Sequence, residues 1–243
     1  MIATLRRAAV VAIAFSLPAL AHALVIGQID TFQNGIAGWF AGGGPVGGVP
    51  PIPPQVVANG GPTGANDAFL QLTSTGSAGP GGRLVGMNAS QWAGNYLTAG
   101  FTTIEMDVLN LGPTELALRL LFEDPVPAGP VNIAITGAQT IAPGSGWVHV
   151  VFQLDPAQMT ALLGSVTDAL EGTTLLRIFH SASAAFPPDP VAAVVGIDNI
   201  SAGFVPRPGP FPTPVSEPSS LVMLATALSL LGCAARRRRL GQG

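Results

Sequence analysis

Glu105 and Asp107 stand two residues apart, and Glu123 is followed directly by Asp124. A pair of carboxylates is the minimum equipment of a glycosidase, one group acting as acid and the other as base or nucleophile. Positions i and i+2 of a strand share a face, so Glu105 and Asp107 are the pair a strand brings together. Beyond position 23, histidine occurs only at His149 and His180. Neither has a second histidine at metal-binding spacing. Ser181 and Ser183 lie beside His180 and Ser145 near His149, but no Gly-x-Ser-x-Gly elbow accompanies them. Both histidines read as polar residues on the solvent faces of strands. Trp39, Trp92, Trp147 and Tyr96 carry the flat rings that can stack on sugars. The commoner fate of such rings is core packing with the N–H satisfied. Trp92 with Tyr96, in a Gly/Asn-rich stretch, is the candidate exposed platform for glycan stacking.

These groups need elements to hold them. Between 24 and 204 the chain alternates short apolar or period-2 runs with Gly/Pro/Asn clusters. The run 115–122 puts Leu116, Leu118, Leu120 and Phe122 on one face; the run 147–154 puts Val148, Val150, Phe152 and Leu154 on one face and His149 on the other. Further strands are expected at 68–73, 83–87, 103–109, 131–135, 174–180 and 191–202. That number and spacing predict an all-β, two-sheet sandwich. One short helix is expected over 155–163, with Asp155 as N-cap, Pro156 at N1 and Gly164 as the stop. Residues 42–54, rich in Gly and Pro, read as a long loop.

Composition removes several classes of function. Only 9% of the 243 residues are charged and none is lysine. Between 24 and 214, Arg83, Arg119, Arg177 and Arg207 face twelve acidic residues. Such a body has no means of binding nucleic acid by counterion release, whereas divalent cations and neutral sugars are compatible with it. A single Cys excludes an internal disulfide framework and a cysteine zinc site. No phosphate loop or dinucleotide fingerprint is present.

The two ends read as addresses. Arg6 and Arg7 precede an apolar run from Ala8 to Leu20, then Ala21-His22-Ala23. This is the order of a secretory signal peptide, cleaved after Ala23, with Ala21 and Ala23 as the small residues the peptidase requires. At the other end a Pro-rich spacer, 205–214, leads to Ser216-Glu217-Pro218, an apolar run Leu221–Ala235 and the arginines Arg236, Arg237, Arg238 and Arg239. The apolar run suits a marginal transmembrane helix, and the arginine run holds its end in the cytoplasm. Cys233 is a bystander in that run. The expected divisions are 1–23 signal peptide, 24–204 sandwich, 205–218 linker with sorting motif, and 219–243 transmembrane helix and tail.

Taken together, the spacer, Glu217-Pro218-Ser219, short apolar helix and terminal arginines resemble the PEP-CTERM sorting signal of Gram-negative bacteria, with Ser216 where that motif has its first proline. The resemblance implies secretion, handling by an exosortase, transient anchoring in the membrane, and release or transfer to the cell surface or matrix, commonly beside exopolysaccharide. The body carries a second resemblance. Asp30-Thr-Phe32-Gln-Asn-Gly35…Gly38-Trp39 and Gly196-Ile197-Asp198-Asn199-Ile200 look like the terminal strands of jelly-roll carbohydrate-binding modules. It implies a structural calcium at Asp198 together with Asp30. The expectation is therefore a non-enzymatic exported surface or matrix protein, with a calcium-stabilised carbohydrate-binding module and a carboxylate-pair hydrolase as alternatives.

Overall fold

The computed structural model describes residues 24–42, 50–126 and 129–204. The expected signal segment with Ala21 and Ala23 lies outside them. So do the expected linker, the expected sorting motif Ser216-Glu217-Pro218, and the expected tail with Arg236, Arg237, Arg238 and Arg239. The described residues form an all-β, jelly-roll-like sandwich of two antiparallel sheets.

The first sheet contains β1 (Ile29–Asp30), β2 (Gln55–Val57), β3 (Phe69–Thr75), β5 (Thr103–Asn110), β9 (Trp147–Gln153) and β12 (Ala192–Gly203), in the order β2-β3-β12-β5-β9 with β1 also on β12. The second contains β4 (Val85–Asn88), β6 (Leu116–Val126), β7 (Gly129–Ile135), β8 (Gln139–Ile141), β10 (Thr160–Leu163) and β11 (Leu175–His180), in the order β10-β7-β6-β11-β4 with β8 also on β6. Two short helices complete the set, α1 (Tyr96–Ala99) and α2 (Val166–Glu171).

Period-2 alternation decides what each sheet shows to its partner. Leu116, Leu118, Leu120 and Phe122 of β6 are fully buried, as are Ile104, Met106 and Val108 of β5. Each contributes roughly 1.5–3 kcal/mol on burial. The opposite parity leaves Glu105, Asp107 and His149 on the outer face of the first sheet. It leaves Leu121, Glu123, Arg177 and Phe179 on the outer face of the second.

In β12, Asp198 pairs with Asp107, but Ser201 pairs with Glu105, three residues on against two. The extra residue is Asn199, at φ 52. Such a bulge reverses the parity of everything after it. Asp198 faces outward by plain alternation with the inward Val195 and Ile197, and the bulge returns Ile200 to the core.

The segment expected to be a helix over 155–163 is not one. Asp155 Oδ1 accepts the Ala157 N–H at 3.0 Å, which closes a single turn. Thr160–Leu163 then pairs with β7 as an edge strand. A helix this short has little stability of its own, and pairing supplies its backbone with partners and brings Leu162 onto the outer apolar cluster. The helix forms after Gly164 instead, where Ser165 Oγ accepts the Asp168 N–H at 3.0 Å and Ala169 and Leu170 are buried.

Candidate functional site

Trp92 and Tyr96 are not a platform. Both are fully buried. The Trp92 indole donates to Asp30 Oδ2 at 2.7 Å, and the Tyr96 hydroxyl donates to the Trp92 carbonyl at 2.8 Å. Tyr96 packs edge-on against Phe122, with ring centroids 5.0 Å apart. With its polar atom satisfied inside, each ring gains more from the core than from solvent. Burial also pushes the Tyr96 phenol well above its ordinary pKa.

Asp30 belongs to the same buried node. Its Oδ2 also accepts the Trp39 indole at 2.8 Å and the Gln91 amide at 3.1 Å. It pairs with Ile200 on the core side of the bulge. Asp198 lies on the other face, so Asp30 and Asp198 do not converge on one ion. The pairing in sequence is overturned by the parity reversal at Asn199.

Asp198 has different company. It is fully buried, and its Oδ2 has no hydrogen-bond partner. Its Oδ1 accepts the Asn199 N–H at 2.8 Å. Burial, with smaller contributions from Asp67 and Asp107, lifts its pKa to about 6, against the pull of that hydrogen bond. Asp67 lies in the loop between β2 and β3 and accepts from the Thr63 N–H at 2.7 Å and the Gln33 amide at 3.0 Å. No cluster of three or more His, Cys, Asp or Glu side chains suited to a metal occurs among the described residues. A calcium ion here would draw on the carboxylates of Asp198 and Asp67, oxygen donors of the kind calcium takes. The orphan oxygen of Asp198 fits that role.

The carboxylate pair expected to do acid–base work is tied up. His149 Nδ1 lies 3.0 Å from Asp107 Oδ1 and its Nε2 lies 3.5 Å from Glu105 Oε2. The Asn199 amide donates to Asp107 Oδ2 at 2.8 Å. Glu123 holds Arg177 at 2.6 and 2.9 Å, and Asp124 accepts the Asn132 amide at 3.0 Å. His180 Nδ1 accepts the Ala117 N–H at 3.0 Å, while Ser181 Oγ donates to the Ser183 carbonyl. Burial lowers the His180 pKa, partly offset by Asp189. Among the described residues no hydrogen bond joins that imidazole to Ser181.

A concave feature among the described residues lies elsewhere, at the β4–β11 side of the second sheet. A cavity of about 420 Å³ is walled there by Arg83, Val85, Met87, Arg177, Phe186 and neighbouring prolines. Strand parity explains the wall: Met87 pairs with Arg177 and Val85 with Phe179, all on the outer face. Arg177 is neutralised by Glu123, and its guanidinium carbon lies 5.1 Å from the Phe186 ring centre. Arg83 donates through Nε to the Pro188 carbonyl at 2.7 Å and through Nη1 to the Gly79 carbonyl at 3.2 Å. Sequence reasoning missed this site. Its available signal was the outward parity of Arg177, and the presence of Arg83 and Arg177 among so few cations. The Phe186–Pro188 wall is contributed by a loop, which no periodicity reveals.

No protein-family model matches the chain, and no curated protein does. Solved structures do. The family 11 carbohydrate-binding module from Clostridium thermocellum, in complex with a β-1,3-1,4-mixed-linked tetrasaccharide, superposes with TM-score 0.50 at 14% identity. The match covers 74% of this chain and 98% of that one. An exo-β-agarase matches with TM-score 0.51 at 11% identity, over 74% of this chain and 25% of that one. At these identities the likeness is one of fold.

Proposed function

We propose that this chain is an exported, non-catalytic, carbohydrate-associated protein that holds a polysaccharide segment in the cleft beside β4 and β11. The observation that carries this reading is the cleft itself. It is a cavity of about 420 Å³, within the size range of small-ligand sites, on a sandwich similar in fold to a module that was solved with a tetrasaccharide. Its wall combines apolar surface with a few polar groups, as sugar rings require. The non-catalytic reading is supported by the engagement of Glu105 and Asp107 with His149, which occupies the two carboxylates of that pair.

Export rests on the sequence of the ends. The proposal includes removal of residues 1–23, exosortase handling at Ser216-Glu217-Pro218, transient retention by the tail, and residence at the cell surface or in an exopolysaccharide matrix. It also includes a structural calcium held by Asp198 and Asp67, which would neutralise both carboxylates and tie β12 to the loop before β3. Affinity electrophoresis of the purified protein through gels containing mixed-linkage β-glucan, xylan, agarose and acidic polysaccharides tests the binding. Retardation in at least one gel, without release of reducing ends, is expected; unretarded migration in all of them would refute the reading. Mass spectrometry of material from the host tests the routing: an intact chain confined to the cytoplasm would refute that part.

A further inference from the structure

The charged groups of the cleft are of one kind. Among the described residues its charged side chains are Arg83 and Arg177, Thr73 adds one hydroxyl, and no carboxylate or carboxamide lines it. A neutral sugar presents hydroxyls, which are best met by acceptors as well as donors. A carboxylate needs donors alone, and a guanidinium is the donor best shaped for it.

The two arginines are not equivalent. Arg177 gives Nε and Nη2 to Glu123, and its Nη1 meets only the Met87 thioether. Its charge is cancelled, and it covers a face of Phe186, the cleft's one aromatic ring, at 5.1 Å. That ring is therefore not free on that face to stack on a sugar. Arg83 is held through Nε and Nη1 by two main-chain carbonyls, which fix its orientation without neutralising it. Among the described residues it forms no ion pair, and its Nη2 has no hydrogen-bond partner. Asp189 follows Pro188 in the chain, but it is exposed and does not pair with Arg83. A pre-oriented, uncompensated cation thus stands at an apolar wall, where water screens it less.

We infer that the cleft recognises an acidic sugar, with a uronate carboxylate seated on Arg83. The inference rests on the polysaccharide-binding reading above and narrows its ligand class. The acidic body narrows it further. Densely charged polyanions are repelled by the surrounding carboxylates, whereas uronates spaced among neutral sugars bring one charge to the cleft at a time. Screening confines the remaining repulsion to about 10 Å at ordinary ionic strength.

The test uses gellan, an acidic heteropolysaccharide with spaced glucuronates, the same polymer after chemical reduction of its carboxyl groups, neutral mixed-linkage β-glucan, and poly-glutamate. Binding to gellan is expected, with a loss of about tenfold or more on carboxyl reduction and a similar loss in Arg83→Gln. Thermal unfolding of the variant checks that its fold persists, and the reduced polymer gives the answer on the unaltered protein if it does not. Equal binding of native and reduced gellan would overturn the acidic-sugar inference and leave polysaccharide binding intact. Binding of poly-glutamate as tight as gellan would overturn it in favour of an acidic peptide. Failure to bind any polysaccharide would remove the broader reading and this one with it.

Discussion

The node around Asp30 and the node around Asp198 are built on neighbouring strands, β1 and β12, yet they obey opposite rules. Asp30 lies inside and is saturated: two indoles and an amide donate to it. Asp198 lies on the outer face, equally shut from solvent, and one of its oxygens has no partner. Burial alone does not tell a structural carboxylate from one waiting for a ligand. The hydrogen-bond inventory does, because a buried acceptor without a donor raises the free energy of the fold unless a proton or a cation joins it.

Experiments can break or sharpen this contrast. The largest effect is expected at the ring that Asp30 anchors. Trp92→Ala should lower unfolding free energy by about 3–5 kcal/mol, because it empties the core and takes one of three donors from Asp30; urea denaturation measures it. Unaltered stability would return Trp92 to the surface.

Asp30→Ala should follow, at about 3 kcal/mol, since two indole N–H groups lose their acceptor. Asp30→Asn should recover part of that loss, because its carbonyl oxygen still accepts. If Asp30→Ala were no more damaging than a change at Asp198, the contrast would collapse.

Asp198→Asn should have the opposite sign. With chelator present at pH 7.5 it should stabilise the protein by about 1 kcal/mol. The direction follows from linkage. The folded state holds the Asp198 proton up to about pH 6, whereas the ordinary value is 3.8. The neutral acid is therefore favoured by folding. Its contribution is full below about pH 4 and is lost as pH rises through 6, where the ion must be buried. The gain from Asp198→Asn should accordingly fade as pH is lowered to 4. Added calcium should raise the melting temperature of the wild type and leave the variant unchanged; equal responses would remove Asp198 as a calcium ligand.

The smallest effect is expected at His149→Ala, within about 0.5 kcal/mol. The ring is more than half exposed, and such pairs are screened by water.

The strands most legible in the sequence are those whose alternation extends far enough to fix a face. Residues 103–109, 115–122 and 147–154 are of this kind, and their inward residues are buried as the period requires, Val148 alone being half-buried. β1, β2, β8 and β10 have two to four residues each, too few for a period, and exist because longer neighbours offer free backbone groups. The pattern Met159, Leu162, Leu163 fits a helix and also fits an edge strand that lends Leu162 to an apolar cluster. The choice was made by β7.

The chemistry was less legible than the strands. Aromatic type and Gly/Asn-rich surroundings suggested that Trp92 faces solvent; Asp30, sixty-two positions earlier in the chain, draws its indole inward. The acidic motifs of the terminal strands suggested one shared site; a single extra residue at Asn199 put them on opposite faces. The role of Arg83 and Arg177 is not legible in the sequence, because it depends on a cleft whose walls come from distant segments.

The sequence by itself determined the sheet-forming periods, and with them an all-β sandwich with an apolar interior, because side-chain parity along a strand is a local property. It also limited the chemistry, through scarce cations, one cysteine and isolated histidines. Only the tertiary structure decided which carboxylate is saturated and which is not, and which arginine keeps its charge, because each depends on partners that the sheet order, the register and one bulge bring within hydrogen-bond distance.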